Sequence, residues 1–248
     1  MSLNWFAVIE ASSAGALHCD RSIRALQRTP TLVRQRRQSF QDQRRPMPLI
    51  GSLPSIVHTP RLLLRRQGPE DAPLIRDAID TSLAHLRASV AWAQTEPTTL
   101  AVLAQRLAES AAAFDSGDAW VFTILDATAQ RALGAAGLEP AEPALTALVG
   151  PDAVETGYWL RADATGHGYA TEATAALTEL AFTRLRAQRV MVCHDPANVA
   201  SDGVPRRLGF RCFGTVRDAE LPGRQAADGV VRAMTKVWVL DSGSRPNA

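Results

Sequence analysis

In Gly166-His167-Gly168-Tyr169-Ala170, two glycines one residue apart stand directly before a long helix-periodic run. Glycine lets a backbone curl into conformations that side chains resist. The first-turn amides of the following helix have no intrahelical acceptor, and with the positive end of the helix dipole they form an anion site. A pyrophosphate would sit on the amides of His167 to Ala170. Taken singly, such a turn serves many purely structural roles as well. Asn198 and Ser201 open a shorter helical stretch, where an Asn caps the first turn and a Ser three residues on satisfies it. Cys193-His194-Asp195 has the residue types of a nucleophilic site. Neighbours on a strand face opposite ways, however, so that thiol and imidazole cannot readily meet. Glu172 falls in a first helical turn, where the dipole alone favours a carboxylate. His167 has no H-E-x-x-H or comparable partner spacing, so no metal site is read.

Several elements must position these residues. Arg61 to Arg65 is a short apolar run between Pro60 and Gly68 and reads as a first strand. Pro69-Glu70-Asp71 opens a helix carrying Leu74, Ile75, Ala78 and Ile79 at helical spacing, and a second helix spans about Thr99 to Phe114. Ala119 to Leu125 and Ala132 to Leu138 suit an antiparallel hairpin, and Pro140 to Pro151 reads as a loop. Val154 to Leu160 is a strand with Gly157 inside it, which predicts a bulge or a close backbone approach. Gly168 to Arg186 is a long amphipathic helix with Ala173, Ala176, Leu177, Leu180, Ala181 and Leu185 inward. A strand at Arg189 to Cys193, a short helix at Asn198 to Leu208, and strands at Phe210 to Val216 and Val230 to Leu240 complete the order.

In combination and in order, these phrases resemble the GNAT superfamily of N-acetyltransferases, most closely its ribosomal-protein N-terminal acetyltransferase branch. The matching phrases are Thr59-Pro60-Arg61-Leu62-Leu63-Leu64-Arg65, Glu155-Thr156-Gly157-Tyr158-Trp159-Leu160, Gly166 to Ala173, and Asn198-Val199-Ala200-Ser201 leading to Leu208-Gly209-Phe210. The resemblance covers roughly residues 58 to 240. It implies an α/β fold with a central mixed, mostly antiparallel sheet, flanked by helices and splayed between two parallel strands ending near Leu160 and Cys193. It also implies acetyl-CoA as acyl donor and a primary amine as acceptor, with direct transfer and no covalent enzyme intermediate.

Under that resemblance Thr165, Gly166, His167, Gly168, Tyr169 and Ala170 form the phosphate loop. Family loops usually begin with Arg or Gln, so Thr165 departs from the pattern and removes one contact. Backbone groups of Tyr158, Trp159 and Leu160 would pair with the pantetheine arm, and an amide there can polarise the thioester carbonyl. The side chains of Tyr158 and Trp159 read as core aromatics. Asn198 would meet the pantetheine amides, and the Ser201 hydroxyl would protonate the departing sulfur. Glu155 lies beside the expected acceptor entry and is the first candidate for general base, with Glu139 the second. An α-amino group with pKa near 8 needs less help than a lysine near 10.4. Arg161, Arg206 and Arg207 are candidates for cofactor phosphates, though exposed arginines are commonly just solvated.

The whole chain sets outer bounds. At 248 residues and 46% hydrophobic, it can bury a full core, read as an acetyltransferase domain at 56–241 with a tail at 242–248. Residues 1–55 are arginine-rich and lack apolar periodicity, and read as a flexible basic extension, with Met47 as an alternative start. A net charge of +2 does not argue for nucleic acid. No run approaches the roughly 18 apolar residues of a membrane span. Three widely spaced cysteines fit a reducing cytoplasm better than a disulfide framework. A monomer and a homodimer are equally compatible with the sequence. Two other readings remain: a non-catalytic acyl-CoA sensor, and a dinucleotide-binding fold, against which Thr171 stands at the third glycine position.

Overall fold

The computed structural model describes residues 51–217 and 234–244. The basic arm at 1–50, the 219–229 loop, the first residues of the expected last strand and the final four residues lie outside the described residues.

Eight strands form one sheet: β1 (Ile56–His58), β2 (Leu62–Arg66), β3 (Trp120–Asp126), β4 (Ala132–Pro140), β5 (Ala153–Leu160), β6 (Arg189–His194), β7 (Arg211–Arg217) and β8 (Met234–Asp241). Their order is β1-β2-β3-β4-β5-β6-β8-β7. Every neighbouring pair is antiparallel except β5 and β6. A doubly wound dinucleotide fold needs a parallel sheet, so that alternative falls.

Strand alternation sorts the core into two faces. One face presents Phe122, Val154, Leu160, Val190, Val192 and Trp238 to α5 (Tyr169–Thr183). The fully buried Ala173, Leu177 and Ala181 of α5 pack there, and Leu53 closes the same cluster near the chain's described start. The other face is covered in two separate patches. The helices α1 (Ala72–Asp80), α2 (Leu83–Arg87) and α3 (Leu100–Ser116) pack on Val121, Leu125, Ala135 and Trp159. The short α4 (Pro143–Val149) sets Leu145 against Ala153, Met191, Cys193 and Val237. The last helix, α6 (Val199–Arg207), links β6 to β7. No helix of the described residues is long and apolar enough to cross a membrane.

Local chemistry sets several boundaries. Thr99 caps α3 by accepting from the Val102 amide at 3.2 Å, and Gly117 ends it at φ +81°. Where a loop was expected after Pro140, α4 forms, because Pro143 occupies its first position and Leu145 finds a fully buried seat. The bulge expected at Gly157 is absent. There β5 runs in unbroken register with β4, Gly157 facing Gly137, and the register shifts lie elsewhere, in the β3–β4 and β7–β8 pairs.

Candidate functional site

The parallel ladder of β5 and β6 starts at Ala153 beside Arg189 and stops at Thr156 beside Val192. Among the described residues, each strand beyond it keeps only its outer neighbour. Gly157 to Leu160 pair with Gly137 to Gly134 of β4, while Cys193 and His194 pair with Val237 and Lys236 of β8. The strands therefore part, and among the described residues the inner edge of Gly157 to Leu160 has no strand partner, a geometry that can bond an extended ligand. The expected splay thus opens along Tyr158, Trp159 and Leu160.

β5 leads into a single turn of 3-10 helix at Ala162–Ala164 and then into the glycine turn. Gly166 and Gly168 adopt φ +78° and +81°, the left-handed region that side chains avoid. A Cβ on Gly166 would meet nothing within 4 Å, so the turn borders open space. Thr165 bends its hydroxyl back to the Ala162 carbonyl at 2.7 Å. The Nδ1–H of His167 donates to the Thr165 carbonyl at 2.8 Å, and its ring stacks on Tyr169 with centroids 5.6 Å apart. Tyr169 and Ala170 are half-buried against the main core. The turn is thus shaped from within, and it opens the first turn of α5.

It is also clamped from outside by residues that sequence spacing does not reveal. Glu172 accepts from the Thr59 hydroxyl at 2.6 Å, the Arg61 amide at 2.8 Å and Arg61 Nε at 2.7 Å. Burial alone would raise the Glu172 pKa, but these bonds outweigh it and hold the carboxyl below its ordinary value. Arg61 further donates to the His167 carbonyl at 2.8 Å and lies 4.8 Å over the Tyr169 ring. Its partners lie more than 100 residues along the chain. The only sequence trace was that both ends fell within matched phrases.

Of the three candidate arginines for phosphate, Arg207 reaches the first turn of α5. It donates to Thr171 Oγ1 at 3.2 Å and to the Gly203 carbonyl at 2.9 Å. Arg206 lies over Trp238 at 5.2 Å. Arg161 is turned away from the turn and 5% exposed, its guanidinium held by Asp77 at 2.9 Å and Asp163 at 2.8 Å. Its charge ties β5 to α1.

On the other side of the splay, Asn198 caps α6 by accepting from the Ser201 amide at 3.3 Å. The Tyr158 hydroxyl donates to the Ser201 carbonyl at 3.3 Å, bringing Tyr158, Asn198 and Ser201 together. Burial pushes the Tyr158 pKa well up, so this phenol stays a donor. Cys193 and His194 do face opposite ways, the thiol into the α4 patch and the imidazole beside Trp238. His194 Nδ1 donates to the Asp195 carbonyl at 2.7 Å, and its Nε2 accepts from Trp238 Nε1 at 3.1 Å, with Asp202 also 3.1 Å away. Burial lowers the His194 pKa more than these carbonyl and carboxylate neighbours raise it, so the neutral ring is favoured. Glu155, at 3% exposure, lies in register between Glu139 and Met191 on the face opposite α5.

The match to known families is consistent with this geometry. The family model of the acetyltransferase (GNAT) domain matches residues 61–211. The provisionally assigned ribosomal N-acetyltransferase YdaF of Bacillus subtilis (strain 168) is 39% identical over 64 residues, 26% of this chain and 35% of its own. The chain thus spans about a third of that relative's length. Among solved structures, the microcin C7 self-immunity acetyltransferase MccE, in complex with acetyl-CoA and AMP, has a TM-score of 0.63 at 16% identity over 77% of this chain and 98% of its own. RimL, a ribosomal L7/L12 α-N-protein acetyltransferase in complex with coenzyme A, has 0.62 at 20% over 75% and 97%. These two likenesses carry the fold. The family match takes in more than half of the chain, and the chain belongs to the acetyltransferase (GNAT) domain family.

Proposed function

We propose that the chain transfers the acetyl group of acetyl-CoA directly to a primary amine, with a protein N-terminal α-amino group as the acceptor of choice. The observation that carries this reading is the coincidence of the splay with the glycine turn. A free strand edge suits an extended arm with amides, and a left-handed glycine turn at a helix start suits the pyrophosphate at its end. The residues fit such a molecule: Gly166 borders open space, the first-turn amides of a helix lack intrahelical acceptors, and Arg61 and Arg207 add positive charge at the start of α5.

Bound there, acetyl-CoA supplies an activated carbonyl. The amine nitrogen forms the new bond to that carbon, the carbon–sulfur bond breaks, and the thiolate leaves. The β5 backbone orients the donor, and an amide of its free edge stabilises charge developing on the carbonyl oxygen. Glu155, on the acceptor side, takes the proton from the ammonium, directly or through water. Ser201 donates to the departing sulfur, a modest role because a thiol with pKa near 8.5 leaves readily. The names of the RimL and YdaF relatives support the ribosomal-protein branch and hence the peptide acceptor.

Calorimetric titration with acetyl-CoA tests the donor half. Micromolar-range affinity is expected, with none for NAD and with loss in Gly168→Asp, which strains the turn at φ +81° and sets a carboxylate against Arg61. Absence of acetyl-CoA binding would overturn the reading. Binding without transfer to any peptide or amine would leave the acyl-CoA sensor in its place.

A further inference from the structure

At the end of β6, beside the splay, the imidazole of His194 has two partners of opposite kind for one nitrogen. Its Nε2 lies 3.1 Å from Trp238 Nε1, which can only donate, and 3.1 Å from Asp202 Oδ1, which as a carboxylate oxygen can only accept. A ring nitrogen either carries a hydrogen or offers a lone pair, so only one of these contacts can be a hydrogen bond at a time. The other nitrogen is already engaged, because Nδ1 donates to the Asp195 carbonyl at 2.7 Å. With the ring neutral, Trp238 is satisfied and Asp202 Oδ1 is not: that oxygen is buried and accepts no hydrogen bond among the described residues. Lys236 holds the carboxylate in its place, donating to Oδ2 at 2.8 Å, with Nζ equally near Oδ1 in ionic contact.

The groups around this histidine come from three elements and the strand end. Arg206 of α6 lies 3.6 Å from Asp202 and over the Trp238 ring. The Asp195 carboxylate accepts from the Ala197 amide at 2.7 Å, and the Tyr158 hydroxyl of β5 donates to the Ser201 carbonyl. Of these side-chain types, imidazole alone ordinarily changes charge between about pH 5 and 8. Burial holds the His194 pKa below 6.5, so the ring takes its proton on the acid side of that value. Asp202 directly follows Ser201 in the first turn of α6, and Asn198 caps the same turn.

From these contacts we infer that His194 is a positioning residue for the first turn of α6, acting on Asn198 and Ser201 through Asp202, and that one proton moves this turn between two seats. With the ring neutral, the turn rests on Lys236 of β8. With a solvent proton on Nε2, the ring donates to Asp202 Oδ1 and draws the turn toward β6, while the Trp238 indole loses its acceptor. The functional consequence rests on the acyl-transfer reading: the Lys236 seat is the one that aligns Asn198 and Ser201 with the donor. Acetyl-CoA therefore binds less tightly as the ring gains its proton.

The test follows two signals from about pH 7.5 to about 5.5, over which melting curves verify an intact fold: the acetyl-CoA Kd by calorimetry, and the assigned indole N–H resonance of Trp238. In the unaltered protein the Kd should rise about five-fold, over the same interval in which the indole resonance shifts. His194→Gln supplies an amide oxygen for Trp238 and an amide nitrogen for Asp202 at every pH. It should match the unaltered protein at the upper pH, keep its indole resonance in place on acidification and lose the extra rise in Kd. The cofactor phosphates titrate in both proteins, so the difference between them is the reading. Identical pH dependence of Kd in the two proteins, or an indole resonance that does not move together with Kd, would overturn the positioning role. Should acetyl-CoA bind at no pH, the acyl-transfer reading falls instead, and a stationary indole resonance would still overturn the proton exchange.

Discussion

Glu155 and Ser201 carry the chemical steps of the proposed reaction, and each makes a different kinetic prediction. Glu155→Gln should lower turnover most at low pH, where the acceptor is most fully protonated; an unchanged pH–rate profile would remove Glu155 from the base role. Ser201→Ala should cost less than about ten-fold in kcat, because the thiol leaves with little help. Full activity would leave Ser201 as a helix residue whose amide Asn198 caps. What the sequence disclosed at this scale depended on the residue. Gly166 and Gly168 were legible because a left-handed turn demands glycine. Arg161 was not, since its charge is consumed by Asp77, which lies far off in sequence. Arg61 reads in sequence only as part of a strand, and its contact with the glycine turn is wholly tertiary.

Among the elements, the β1–β2 connection and the start of α5 act as one unit through Glu172. Its side chain is 13% exposed and bonded to both Thr59 and Arg61. Glu172→Gln keeps the shape and loses the charge. It should raise the acetyl-CoA Kd several-fold through a looser turn, with little loss of fold, as read by calorimetry alongside a melting curve. An unchanged Kd would make the clamp irrelevant to the cofactor. Periodicity and caps disclosed the long elements, α3, α5 and the β3–β4 hairpin. It missed β1, α2 and α4, which run to only three, five and seven residues. Pieces that short carry less than two helical turns or two alternations, and tertiary contacts such as the burial of Leu86 and Leu145 hold them. The splay itself followed from family resemblance, since no local pattern records where two strands stop pairing.

Over the whole molecule, buried charge sets the pH range of stability. Glu96, 2% exposed, receives Arg76 at 3.0 Å and Arg106 at 2.8 Å, joining α1, the following connection and α3. Burial would raise its pKa, but the Thr98 amide and Arg76 outweigh that and set it below 4.5. Its contribution is therefore full above 4.5 and is lost as pH falls through the lower folded value. Glu96→Gln should cost about 3 kcal/mol in urea unfolding at neutral pH. His194 acts earlier. Its folded pKa is below 6.5, so as pH falls past 6.5 the unfolded chain gains a proton that the folded ring refuses. Stability should decline by up to about 1.4 kcal/mol per pH unit until the folded value is reached. His194→Gln should flatten that slope, and an unaltered slope would assign it elsewhere. Near the same histidine, Lys236 is the only lysine of the chain. Its ammonium sits 2.8 Å from Asp202 and 5.2 Å over the Trp238 ring. Acetyl thioesters slowly modify exposed lysines without any enzyme, and such self-modification ordinarily blurs mass-spectrometric assays of acyl transfer. Here the one ε-amine is held between the Asp202 carboxylate and the Trp238 face, so the lysine background that usually clouds such an assay is confined to a single engaged side chain.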